Sequence, residues 1–149
     1  MELHSKRSRQ FPVPVGELWT AVTSVDRYQE WWPWLTTLEA DGFRVDDPWR
    51  CAVRPPLGYT VAFQIHLEEV VDATRAAATI SGDIEGHAVL RVEDEGRATS
   101  SLELEAWLSP ASTLLRAMMT VARPVATRGH DWILDTGLEQ FHQRALPDA

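Results

Sequence analysis

One cysteine, Cys51, is all the chain has, so no internal disulfide can hold it together. No apolar run is long enough to span a bilayer, and no charged start leads into an apolar stretch. Neither a signal peptide nor a transmembrane segment is therefore expected, and the simplest compartment is the cytoplasm. Basic residues are scarce: 14 Lys and Arg face 22 Asp and Glu, a formal net charge of −8. Nucleic acid and anionic membrane surfaces both require a basic footprint, so neither is expected as the main partner, and no stable membrane insertion is expected. The short basic run of Lys6, Arg7 and Arg9 reads as a solvated edge strand, where charge discourages pairing with other chains. A P-loop, a dinucleotide fingerprint, a nucleophile elbow and zinc-ligand spacing are all missing. No cofactor and no metal are expected; His66 and His87 lie far along the chain from His130. Linkers, repeats and low-complexity tracts are missing too, so residues 1–149 read as one domain, long enough to bury a core.

Tryptophan is present in excess, with 7 in 149 residues. Surplus large aromatics often line a core or a ligand cavity. The hydrophobic period changes once, near Pro110. From about Leu35 to Leu108 apolar residues mostly alternate, as in strands; from Ala111 to Leu146 they recur at helical spacing. A sheet followed by one long closing helix implies a pocket wrapped around an apolar interior.

Residues Glu2 to Phe11 form a first strand in this reading. Pro14 opens a short helix carrying Leu18, Trp19 and Val22, and Ser24 or Asp26 caps a second that runs to Trp31 and ends before Pro33. Strands follow over Leu35–Val45, Trp49–Arg54, Tyr59–Val70 and Thr74–Ser81, with Asp46-Asp47-Pro48 as a turn and Pro55 to Gly58 as a loop. Ile84, Gly86, Ala88, Leu90 and Val92 share a face of the next strand, and Leu102, Leu104, Ala106 and Leu108 mark the last. Short turns between neighbours predict an antiparallel meander. Ser109 or Ser112 caps the closing helix, and Pro124 kinks or breaks it.

On that helix Ala126, His130, Ile133, Leu134, Gly137 and Phe141 fall on one face, with Leu115, Met119 and Ala122 in phase, while Arg128, Asp131, Asp135 and Glu139 lie opposite. His130 thus sits inside the apolar stripe, where an imidazole needs a hydrogen-bond partner. Two readings stand side by side. It is a core histidine bonded to a carbonyl or a strand side chain, or it is the polar group of a ligand cavity. Gly137 gives up about 1 kcal/mol of helix propensity, which points to space for a ligand or to close approach by a strand.

The order of two short helices, antiparallel strands and a long C-terminal helix resembles the START-like, or SRPBCC, superfamily, in its polyketide cyclase/dehydrase-type branch. The residues carrying the resemblance are Gly82-Asp83-Ile84-Glu85-Gly86, the Thr99 strand ending near Trp107, Arg123-Pro124, Gly129-His130-Asp131 and Gly137. The Val13 to Trp19 start and Trp31-Trp32-Pro33-Trp34 also fit. The resemblance implies an α+β helix-grip fold, a curved antiparallel sheet wrapped around the C-terminal helix with a deep cavity between. It also implies members that bind lipids, sterols, polyketides, plant hormones or quinones, only some of them enzymes. The family's His-Asp position matches His130 and Asp131, with His130 turned inward.

The expected function is to enclose a small hydrophobic or aromatic molecule. Trp49, Tyr59, Phe63, Met119, Leu134 and Phe141 would supply wall, and His130 the polar contact. The alternative is a polyketide-type cyclase or dehydratase in which His130 acts as general acid/base; a third class is an interaction module whose cavity is filled by its own side chains. Glu85 with His87, and Glu103 with Glu105, are read as solvent-facing, and become acid-base candidates only if their face is the concave one. Trp31, Trp32 and Trp34 pack under the short helices or form a lid. Arg116 and Arg123 are solvated or meet an acidic head group, and Met118 and Met119 fill gaps in core or pocket. The ligand and the oligomeric state are not legible.

Overall fold

The computed structural model describes residues 2–147. Seven strands, β1 (Leu3–Phe11), β2 (Leu35–Glu39), β3 (Trp49–Val53), β4 (Val61–Val71), β5 (Arg75–Gly82), β6 (Ile84–Gly96) and β7 (Thr99–Pro110), form one antiparallel sheet ordered β1-β7-β6-β5-β4-β3-β2. The sheet curls into a half-barrel. Two short helices, α1 (Val15–Val22) and α2 (Tyr28–Trp31), join β1 to β2; α3 (Thr113–Val121) and the long α4 (Arg123–Ala145) close the chain. This is the helix-grip α+β architecture, with the meander over β2–β7 and β1 added at the β7 edge.

Each element follows from local chemistry. Ser112 caps α3, its hydroxyl accepting the Leu115 amide at 3.2 Å. The Gly82 to Gly86 segment makes a corner: Gly82, at φ +122°, passes so close to Phe63 that a β-carbon would strike its backbone. Between the glycines, the Asp83 carboxylate accepts the Ala62 amide at 2.8 Å, and its carbonyl accepts Ala111 at 2.8 Å and Ser112 at 3.1 Å. One aspartate thereby ties β4 to the start of α3. Phe11 and Leu18 are fully buried, and Trp31 nearly so, edge-on to Phe141 on α4.

Three expectations need correction. The strand read from Leu35 to Val45 stops at Glu39, because the chain then folds inward: the Trp49 indole donates to the Gly42 carbonyl at 3.0 Å, and Phe43 packs edge-on to Trp19 and Trp49. The closing helix breaks near Pro124, as expected: it is two helices, parted at Ala122 (φ −134°, ψ 47°), with Pro124 in the first turn of α4, where its missing N–H is harmless. Ser24 precedes the turn over Val25–Arg27 without capping it; its hydroxyl donates to the Thr20 carbonyl.

The third correction concerns charge. Arg7 and Arg9 are only partly solvated, and Asp131, Asp135 and Glu139 do not simply face water. Arg7 bridges Asp135 (2.7 Å) and Asp131 (3.1 Å), and Arg9 pairs with Glu139 (2.6 Å). Two strand residues advance about 6.7 Å, and four helix residues about 6 Å. Inward side chains of β1 therefore stay in step with the i, i+4 rows of α4, and the pairs close the seam between edge strand and helix.

A two-lobed cavity under the closing helix

Between the concave face and α4 lie two cavities, about 320 Å³ and 290 Å³. Val53, Phe63, Ile65, Leu104, Ile133 and Leu134 line both, so they are two lobes meeting at a shared waist. The first lobe is aromatic: Tyr28, Trp32, Trp34, Trp49, Phe63 and Phe141 form much of its wall. The second is aliphatic, walled by Ile80, Leu108, Leu115, Met119 and others, with Tyr59 and His130 as its polar side chains of note.

The aromatic lobe is rigidly built. The Trp32 indole donates to the Gly137 carbonyl at 2.9 Å, and the Trp34 indole to Gln140 at 2.8 Å. Gly137 admits them: a β-carbon there would lie 3.1 Å from the Trp34 ring. The Tyr28 hydroxyl donates to the Val22 carbonyl, leaving its ring for the wall. Cys51 lines the same lobe, where burial pushes its thiol up to about 12, so it is an uncharged wall group.

Fixed charge is nearly excluded. Arg7 reaches the aromatic lobe, but Asp131 and Asp135 hold its guanidinium, and the Asp135 hydrogen bond raises its pKa further. Arg116 and Arg123 are exposed and outside both linings.

His130 Nε2 lies 2.7 Å from the Ser5 hydroxyl of β1. Burial holds the imidazole below its ordinary value of 6.5, opposed by Asp131 and aided by Arg7. A neutral ring bonded to a strand side chain satisfies one expectation for a core histidine, yet the ring also lines the aliphatic lobe. The two readings of this residue coincide in one geometry.

Of the wall residues expected from sequence, Trp49 and Phe141 line the aromatic lobe, Tyr59, Met119 and His130 the aliphatic lobe, and Phe63 and Leu134 the waist. Trp31 packs in the core, whereas Trp32 and Trp34 are wall rather than lid. Glu85 and His87 are exposed on the outer face; His87 stacks on Trp107, which stacks on His4. Glu103 and Glu105 pair outside with Lys6, His4 and Arg91. Among the described residues, His, Cys, Asp and Glu form no cluster able to hold a metal, and no helix is long and apolar enough to cross a membrane.

Sequence reasoning missed Gly129, Ser5 and Tyr28. A β-carbon at Gly129 would overlap the Tyr59 hydroxyl, which crosses from the loop before β4 to α4. A second glycine on the same helix, one residue from His130, was the available signal for Gly129. Ser5 carries none, because its partner His130 lies far along the chain.

No family model and no curated protein matches the sequence. Solved structures do. A protein from Thermus thermophilus is similar at TM-score 0.81 and 13% identity, over 99% of each chain. A START superfamily protein from Mycobacterium smegmatis is similar at 0.75 and 10%, over 98% of this chain and 99% of that one. The Zhui aromatase/cyclase from Streptomyces sp. R1128 is similar at 0.72 and 13%, over 97% and 96%. At these identities the likeness concerns fold alone, and with the seven-stranded grip around α4 it shows that this chain has a START-like helix-grip fold.

Proposed function

We propose that the protein binds a small, uncharged, largely apolar molecule in the two-lobed cavity, with a flat ring system in the aromatic lobe and a hydrogen-bonding group towards His130. The observation that carries this reading is the cavity itself, which is wide, apolar and not filled by the protein's own side chains. An interaction module with a packed centre would lack that space. Neutrality of the ligand follows from the walls: Arg7 is already paired, His130 is held neutral by burial, and an unpaired charge in such a site would be strongly disfavoured.

A second reading rests on the bond between Ser5 and His130. A neutral imidazole anchored at 2.7 Å can accept or return a proton near neutral pH, the requirement for a general acid/base. In a polyketide-type cyclase or dehydratase the waist would hold a carbonyl chain folded beside that ring. The likeness to an aromatase/cyclase adds support from fold analogy alone.

Native mass spectrometry of the purified protein, with organic extraction, tests the binding reading. A stoichiometric apolar molecule is expected. An empty protein that no panel of uncharged aromatic compounds stabilises against heat would overturn it. His130→Ala separates the two readings: binding with lost turnover marks an enzyme, and weakened binding with no turnover in either form marks a carrier.

A further inference from the structure

No acidic residue occurs between Glu105 and Asp131, although the chain carries 22 in all. That stretch contains α3, the break at Ala122 and the first turns of α4, with Arg116, Arg123 and Arg128 all exposed. The two most exposed large apolar side chains are in the same place. Val121 is 86% exposed and Leu114 61%, with Val125 beyond the break at 38%. Leu114, Met118 and Val121 stand at i, i+4 and i+7, one side of α3, beside the face that buries Leu115 and Met119. Leu57 is exposed on the neighbouring loop, whose Pro55 and Tyr59 press on Gly129.

We propose that this corner docks the protein, peripherally and reversibly, on anionic lipid membranes. Three observations converge. The cations flank the apolar groups: Arg116 stands across α3 from Leu114 and Val121, and Arg123 lies in sequence between Val121 and Val125, so basic and apolar sides divide as on helices that lie in a membrane interface. Asp83, whose carbonyl takes the Ala111 and Ser112 amides at the start of α3, has its carboxylate engaged with the Ala62 amide. A valine 86% exposed stands out from the surface instead of lining a groove, and a lipid surface, unlike a folded partner, needs no complementary shape. The net charge of −8 repels an anionic surface overall, which favours approach with this acid-free stretch leading. The corner also backs onto the aliphatic lobe, which Leu115, Met119 and Ala126 line from the inside. An apolar guest would therefore meet the bilayer through α3 and the first turns of α4; that last step alone rests on the binding reading.

The test is flotation of the full-length protein with vesicles, either phosphatidylcholine alone or mixed with phosphatidylglycerol. Binding is expected only to the mixed vesicles and should be lost in high salt. The double substitution Arg116→Glu/Arg123→Glu should weaken it about tenfold or more, and Val121→Asp similarly, with unchanged thermal unfolding because these side chains are exposed. If Val121→Asp unfolds, Leu114→Gln carries the apolar arm. Absence of binding, equal binding to both vesicles, or variants that bind like wild type would overturn the proposal. So would a wild-type dimer that Val121→Asp dissociates while vesicles bind neither form, which would assign the corner to contact between copies. Vesicles alone are the probe, so an empty cavity would leave the result unaffected.

Discussion

Gly129 shows how much one missing methyl group can decide. The Tyr59 hydroxyl lands where a β-carbon at this position would stand, so the aliphatic lobe has a tyrosine in its wall only because residue 129 lacks a side chain. Gly129→Ala should push that ring aside and destabilise the fold by about 1–3 kcal/mol, the usual effect of overpacking. Adding Tyr59→Phe should recover part of the loss in denaturant unfolding, since the hydroxyl is the closest atom. Full stability of the single variant would show that the ring has room to move. His130 makes a second prediction at this scale. The unfolded residue titrates near 6.5, and burial holds the folded one lower. As pH falls below about 6.5 the unfolded chain binds a proton that the folded chain refuses. Stability present at neutral pH therefore declines until the folded value is passed, then levels off. Paired carboxylates such as Glu69 and Glu139 act only below about 4.5. His130→Gln should flatten the slope of unfolding free energy above that range, and an unchanged slope would place the ring in water.

Elements meet through matched repeats. The inward row of β1 and the acidic row of α4 are both visible in the sequence, but taken singly each reads as facing solvent. Lys6, Arg7 and Arg9 look like one basic run, although alternation points Lys6 outward and its two neighbours inward. Only the position of α4 across the sheet edge gives those arginines partners. Because Asp131 and Asp135 remain about half exposed or more, solvent screens these pairs. Arg7→Met should therefore destabilise by only about 0.5–1 kcal/mol, less in high salt. A double-mutant cycle with Asp135→Asn measures the coupling, and a value near zero would reduce the seam to a contact without energetic weight.

At the scale of the whole molecule, the decisive feature is that sheet and helix do not collapse onto each other. Large aromatics anchored by hydrogen bonds at Gly137 and Gln140 hold α4 away from the sheet, leaving lobes on either side of the Phe63, Ile133 and Leu134 waist. Leu134→Trp would place a larger side chain at that waist. The expected outcome is an intact fold, seen by circular dichroism, with loss of any co-purifying molecule; retained ligand would mean that one lobe suffices for binding.

The sequence by itself determined the strands, the helical tail and the placing of Trp49, Tyr59, Phe63, Met119, His130, Leu134 and Phe141 on inward faces. Those properties follow from period and side-chain chemistry, which are local. Local rules failed where a distant contact competed. Residues after Glu39 left the sheet for an aromatic cluster. Tertiary structure alone decided that Ser5 meets His130, that Arg7 is neutralised and that the lobes stay open. Each depends on two segments about a hundred residues or more apart, and no periodicity in either segment encodes the other.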